Sequence, residues 1–205
     1  NYPNCNVYHG RTILIDEDSQ PIYIQEARPA CESLSSAIWH RIDGRQQFIG
    51  DFLFNTHCLR ERGGFFKLPL AWGSDDLSVF YSINEEGLGN CNEPCFCYRV
   101  NRYSITSSGS SDVKLSTTFL HQLYLTKLLT SYQAEGTDEL LRKLSVDRLD
   151  NYFIKKRINI ISVDIASNGI FQIIKWLFKK TELKLSYKHI IYAIVESFKF
   201  KYSRM

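Results

Sequence analysis

The 205-residue sequence has no run of eighteen apolar residues, so no segment of it should cross a bilayer as a helix. It shows no leader pattern, no internal repeat and no low-complexity tract beyond one Ser-rich stretch. Paired C-x2-4-C knuckles, the usual signature of structural zinc, are also missing. Six cysteines are present at 5, 31, 58, 91, 95 and 97, three of them in "CNEPCFC". With no export signal these read as reduced thiols on a strand, and no metal ligands are assigned. Net charge is small, +3 at neutral pH.

That balance conceals an asymmetry. Residues 151–205 carry eleven Lys or Arg against three acids, whereas residues 1–150 carry fourteen against nineteen. A basic tail on an acidic body predicts an anionic partner for the tail. The basic residues are not interleaved with aromatics as a strand-binding groove requires, so nucleic acid is not expected. Hydrophobic content of 44% and charged content of 23% are those of a globular chain. The opening on Asn1, in "NYPNCNVYHG", reads as the back half of a longer polypeptide.

The first half has strand periodicity. "GRTILIDEDSQPIYIQ" reads as a hairpin turning through Asp16 to Pro21, with the "DED" letters serving the turn. A short strand is predicted at 52–54, a helix over 56–62 stopped by Gly63 and Gly64, and a strand through Phe96, Tyr98 and Val100. Residues 31–42 are ambiguous. Between these elements lies "AWGSDDLSVF", where Asp75 and Asp76 open a helix predicted to run to about Glu86, with Ser74 as its N-cap. "SITSSGSSD", residues 104–112, is the expected boundary.

Beyond the boundary the period becomes 3.6. Stripes appear at Phe119, Leu120, Leu123, Tyr124, Leu128 and Tyr132, at Leu140, Leu141 and Leu144, at Ile170 to Phe178, and at Ile190 to Phe198. The fold class expected is α/β, a mixed sheet with helices over residues 1–108, followed by an all-α C-terminal extension over 109–205. "NGIFQIIKWLFKK" sets Gln172, Lys175 and Lys179 on one face, with Trp176 at the border of the apolar stripe. That pattern suits either a helix lying on an anionic membrane surface, through 168–205, or a bundle helix pairing with the acidic body or with a second copy in a homodimer.

"GGFFKLPLAWGSDDLSVF" resembles the acceptor-side motif of family-two bacterial glycosyltransferases, which have a GT-A fold. "CYRVNRYSITSS" is similar to the strand and loop that follow it, and "YPNCNVYHGRTILIDEDSQPI" to the region after that family's metal-binding D-x-D. The likeness covers about residues 1–108. It implies an inverting transfer of a sugar from a nucleotide-sugar donor to a saccharide or lipid-linked acceptor, in surface polysaccharide synthesis, on the cytoplasmic face of a membrane. It implies Asp76 as the catalytic base, Asp75 as its orienting neighbour, Trp72 with Gly63 and Gly64 on the acceptor side, and Arg99 near the diphosphate. It also implies a divalent cation, Mg or Mn, held mainly by a donor half that these residues do not include. A His that many relatives carry after Tyr-Arg-x is here Asn101. The residues themselves leave alternatives open. Trp72 suits a core as well as a sugar face, the two glycines suit a plain helix stop, and Arg99 suits a salt bridge with Asp75 or Glu85. A non-catalytic interaction or membrane-docking module is the alternative function.

Overall fold

The computed structural model describes residues 4–100 and 109–202, with side chains through residue 199. Strand β1 (Val7–Ile15) is the centre of the sheet. Along one edge it pairs in parallel with β5 (Leu88–Arg99), from Val7 opposite Leu88 to Ile15 opposite Arg99, with register shifts around Arg11. Its other edge takes two short antiparallel strands, β4 (Phe52–Phe54) beside Val7–His9 and β2 (Pro21–Ile24) beside Ile13–Ile15. Strand β3 (Cys31–Glu32) closes the far side against β5. A parallel pair needs a long crossover, and here it contains three helices: α1 (Leu34–Ile42), α2 (Thr56–Glu61) and α3 (Ser74–Ser82). Four helices follow: α4 (Ser111–Ser131), α5 (Gly136–Asn168), α6 (Gln172–Lys179) and α7 (Tyr187–Tyr202). The expected class, mixed α/β followed by helices, is what the chain forms.

Several local expectations hold. The β1–β2 hairpin turns where predicted, with Asp16 Oδ1 accepting from the Asp18 and Gln20 amides at 2.9 and 2.8 Å. The "DED" letters are therefore turn chemistry. The cysteine cluster lies on β5, and all six thiols are free. The ambiguous stretch 31–42 is a two-residue strand followed by α1, N-capped by Ser33. Helix α3 stops at Ser82, four residues before Glu86, because Ile83 turns extended and Asn84 bridges Gly87.

The helical half is not peripheral to the sheet. Leu125 and Leu129 of α4, and Leu149 and Phe153 of α5, share one buried cluster with Val7, Ile38, Leu77 and Phe80. A second cluster joins Leu115 and the Ile158–Ile165 stretch of α5 to Trp176, Leu185, Ile190 and Ala193. At 33 residues, roughly 50 Å long, α5 is the spine that spans both. The stripe expected on α4 is shifted. Leu123 is 61% exposed, while Thr117 and Thr118 are buried. Their hydroxyls donate to the Val113 and Lys114 carbonyls one turn back, which removes the cost of burying them. On α5 the expected stripe is likewise displaced. Leu140 is exposed, and burial begins at Ser145 and Leu149.

Trp176 does not sit at a border. It is fully buried, and its Nε1 donates to Asp164 Oδ2 at 2.9 Å. Lys175 and Lys179 both grip Asp112 of α4, the latter at 2.8 Å. What α6 and its N-cap residue Phe171 turn outward is apolar: Phe171 and Phe178 are 83% and 85% exposed, with Ile174 also exposed between them.

Candidate active site

Helix α3 presents the two acids. Its N-cap is Gly73, not Ser74, with φ +86°. A Cβ there would lie 2.2 Å from His121 Nδ1, so only glycine allows the turn to approach α4 this closely. Ser74 is instead the first helical residue, and its Oγ accepts the Leu68 amide at 3.0 Å, while Ser78 Oγ accepts the Phe66 amide at 2.9 Å. These two bonds fasten the "FFKLPL" loop along the first turns of the helix.

Consecutive helical positions point about 100° apart, and the pair divides accordingly. Asp75 faces out and is exposed, whereas Asp76 faces in and is 3% exposed. Asp76 Oδ1 accepts from Arg41 Nε at 2.8 Å and from Gln47 Nε2 at 3.1 Å. Its Oδ2 has more distant neighbours among the described residues, the Lys156 ammonium, Nζ at 3.6 Å, and the His121 ring, Nε2 at 3.9 Å. Burial alone would raise the Asp76 pKa. The surrounding charges outweigh it, Arg41 foremost and then Lys156, and hold the carboxyl well below the usual carboxylate range. Asp75 moves the other way. Burial and the Asp76 charge push its pKa up, against a smaller pull from Arg41. The adjacent acids thus avoid sharing a proton problem: one is firmly ionised and the other takes the upward shift.

His121 completes the cluster as a neutral ring. Burial, then the charge of Lys156, pushes its pKa down to about 3. Its Nε2 is buried with no hydrogen-bond partner. The side chains of Arg41 and Lys156 are 24% and 25% exposed, so Asp76 lies one side chain beneath the surface. Clefts of ≈ 800 Å³ between α1, α5 and α7 and of ≈ 610 Å³ beside β2 open elsewhere, and Asp76 lines neither.

The other expected site residues are dispersed. Trp72 packs on the margin of the second core, with Lys114 Nζ 5.1 Å from its ring centroid. Gly63 and Gly64, both at positive φ, donate to the Arg60 and Leu59 carbonyls and so terminate α2. Arg99 donates to the carbonyls of Asp16 and Glu17 at 2.7 and 2.8 Å and to Ser19 Oγ, clasping the β1–β2 turn rather than meeting Asp75 or Glu85. Asn101 lies outside the described residues. The donor set around Asp76 does not fit a divalent cation, because Arg41 and Lys156 already face its oxygens with positive charge and Asp75 adds a single outward carboxylate.

Arg41, Gln47, His121 and Lys156 are the functional neighbours that sequence reasoning missed. Arg41 lies in the stretch with no clear periodicity, and the last two lie on helices far along the chain. Their signal was polarity inside apolar stripes: His121 between Leu120 and Leu125, and Lys156 beside Phe153. Compared with known proteins, the chain matches no family model, no curated protein and no solved structure.

Proposed function

We propose that this chain forms the acceptor side of an inverting glycosyltransferase, with Asp76 as the base that takes the acceptor hydroxyl's proton. The observation that carries the reading is the division of labour at Asp76. One oxygen is fixed by Arg41 and Gln47, and the other has no hydrogen bond nearer than the 3.6 Å ion pair with Lys156. A carboxylate oriented through one oxygen and ionised at neutral pH is free to take a hydroxyl's proton, and its depressed pKa makes it a weak base that would act late in the transfer. An acceptor hydroxyl would approach Oδ2 by displacing Lys156, whose side chain is the partly exposed cover. The "GGFFKLPLAWGSDDLSVF" likeness supports the substrate class, a nucleotide-sugar donor with a saccharide or lipid-linked acceptor. The donor-binding elements of that family have no counterpart in these residues, so the acceptor side alone is assigned here.

The test is sugar transfer by protein containing this chain. Asp76→Asn should lower kcat by about 10² to 10⁴ with donor affinity retained, while Asp75→Asn stays within a few-fold of the parent. Equal turnover by folded Asp76→Asn protein overturns the assignment.

A second reading, a docking module, has its own observation. Helix α7 exposes Tyr187, Ile191, Val195 and Phe198 at helical spacing, and α6 exposes Phe171, Ile174 and Phe178. Over residues 170–199 six lysines stand against two glutamates, and although Asp112 holds Lys175 and Lys179, the charge of Lys180, Lys184 and Lys188 suits an anionic lipid surface. No helix among the described residues is long and apolar enough to cross a membrane, so attachment of this kind would be peripheral. The two readings are compatible, since a lipid-linked acceptor is met at such a surface.

A further inference from the structure

The segment joining β2 to β3 carries an arginine that the chain buries and leaves, among the described residues, without a hydrogen-bond partner at Nη2. Arg28 is 5% exposed. Its backbone is clamped to β5, the amide donating to Asn92 Oδ1 and the carbonyl accepting from Asn92 Nδ2, each at 2.8 Å. The guanidinium makes no hydrogen bond and no ion pair among the described residues, and its Nη2 is wholly buried without a partner. Its nearest aromatic neighbour is Phe52, whose ring centroid lies 6.0 Å from Cζ.

The two buried carboxylates that attract Arg28 are already engaged. Glu32 takes Arg45 at 2.6 Å and Asn90 at 3.0 Å. Asp51 takes Thr12 Oγ1 at 2.6 Å, Gln25 Nε2 at 2.9 Å and the Phe48 amide at 2.8 Å. A guanidinium withdrawn from water without a hydrogen-bonded partner destabilises a fold even with Glu32 and Asp51 near enough to attract it, and chains tolerate it where a ligand supplies the missing bonds. Arg28 lines the ≈ 610 Å³ cleft beside β2, together with Arg45, His40 and Gln25. The cleft also has an apolar wall, Ile22 and Tyr23, exposed at 58% and 44%. Its two acids are more open to water than Arg28: Asp43 is paired with Arg148 at 3.2 Å, and Glu26 is exposed.

We propose that this cleft binds an oxyanion-bearing small molecule of about monosaccharide size, a phosphate or a carboxylate, with Arg28 as its forked partner and Tyr23 against its ring. A planar guanidinium meets either oxyanion through two parallel N–H bonds, and the volume takes considerably more than a lone ion. The assignment is independent of the Asp76 chemistry and stands whether or not transfer occurs.

Isothermal titration of the 205-residue chain at fixed ionic strength, with glucose 1-phosphate, glucuronate and glucose, tests it. Binding of either charged sugar and not of glucose is expected, and which one binds identifies the oxyanion. Arg28→Met should weaken that binding by about tenfold or more. Without ligand the same variant should melt at or above the parent's temperature, because it removes a buried cation that has no hydrogen-bond partner among the described residues. Glu26→Gln, at an exposed position, should tighten binding about two- to five-fold by removing a competing charge. Equal affinity for all three sugars, no binding of any, or binding that survives Arg28→Met overturns the proposal. So does a substantial loss of stability in ligand-free Arg28→Met, which would mean that the guanidinium is already paired within the fold.

Discussion

Replacing Asp76 by Asn isolates the charge at the centre of the α1–α3–α4–α5 junction while keeping its shape. Asn Oδ1 can still accept from Arg41 and Gln47, but its Nδ2 then faces Lys156 and His121, and the positive charges of Arg41 and Lys156 lose their common counter-ion. Breaking a buried pair from one side costs about 3–5 kcal/mol. Both cations here are about a quarter exposed, so solvent screens part of that and the lower end, about 3 kcal/mol, is expected. For a chain of this size that lowers Tm by roughly 6–12 °C. The dependence on pH is sharper still. The folded-state pKa of Asp76 is depressed below its unfolded value, so its contribution is complete above about pH 4 and fades as pH falls toward the folded pKa. Urea unfolding followed by far-UV circular dichroism should therefore show the gap between parent and variant narrowing below pH 4, by about 1.4 kcal/mol per pH unit. Adding Arg41→Met to the Asn variant removes one stranded cation and should recover part of the loss. A variant within about 2 °C of the parent at pH 7, or a gap that stays constant to pH 3, would refute the charged cluster. If the double variant recovers stability but not sugar transfer, the carboxylate's chemical role separates from its structural one.

Two further measurements probe backbone and surface. Gly73→Ala and Gly64→Ala both place a side chain at positive φ, +86° and +88°, for a shared cost of about 1–2 kcal/mol; only at Gly73 would the new Cβ strike His121, so its unfolding midpoint should fall clearly further, and equal midpoints would argue against the close α3–α4 approach. The chain should float with vesicles containing anionic lipid and remain unbound to neutral ones, and Phe171→Ser with Phe178→Ser should abolish flotation without loss of helicity; vesicle binding that ignores both changes would assign those faces to a second copy or another protein.

Local order was legible wherever one residue type decides one geometry. The hairpin turn follows from "DEDSQP", the α2 stop from two adjacent glycines, and β4 from "FLF". Periodicity placed helices beyond residue 110 but misjudged which side each buries. Threonines that bond to their own helix carbonyls behave as apolar at Thr117 and Thr118, and Lys114 and His121 are buried on the same helix. A reading that counts only apolar letters therefore assigned Leu120 and Leu123 to the core and omitted Leu125 and Leu129.

Of the candidate site only the acidic pair stood out in the sequence, while Arg41, Gln47, His121 and Lys156 did not. Two adjacent acids at a helix start invite the question of which one is costly, and only the tertiary neighbours answer it. Asp76 turns inward because Arg41 arrives from α1, His121 from α4 and Lys156 from α5, three elements separated by up to 115 positions in sequence, a number fixed by Arg41 and Lys156 themselves. Helix start chemistry would have stabilised both acids at the surface. Instead, the fold spends a glycine at 73, a neutral buried histidine and two long cations on holding one carboxylate charged and pointed inward. Caps on ordinary helices require none of these. That concentration of otherwise unfavourable groups around a single oxygen pair is the physical argument that Asp76 was placed for more than ending a helix dipole.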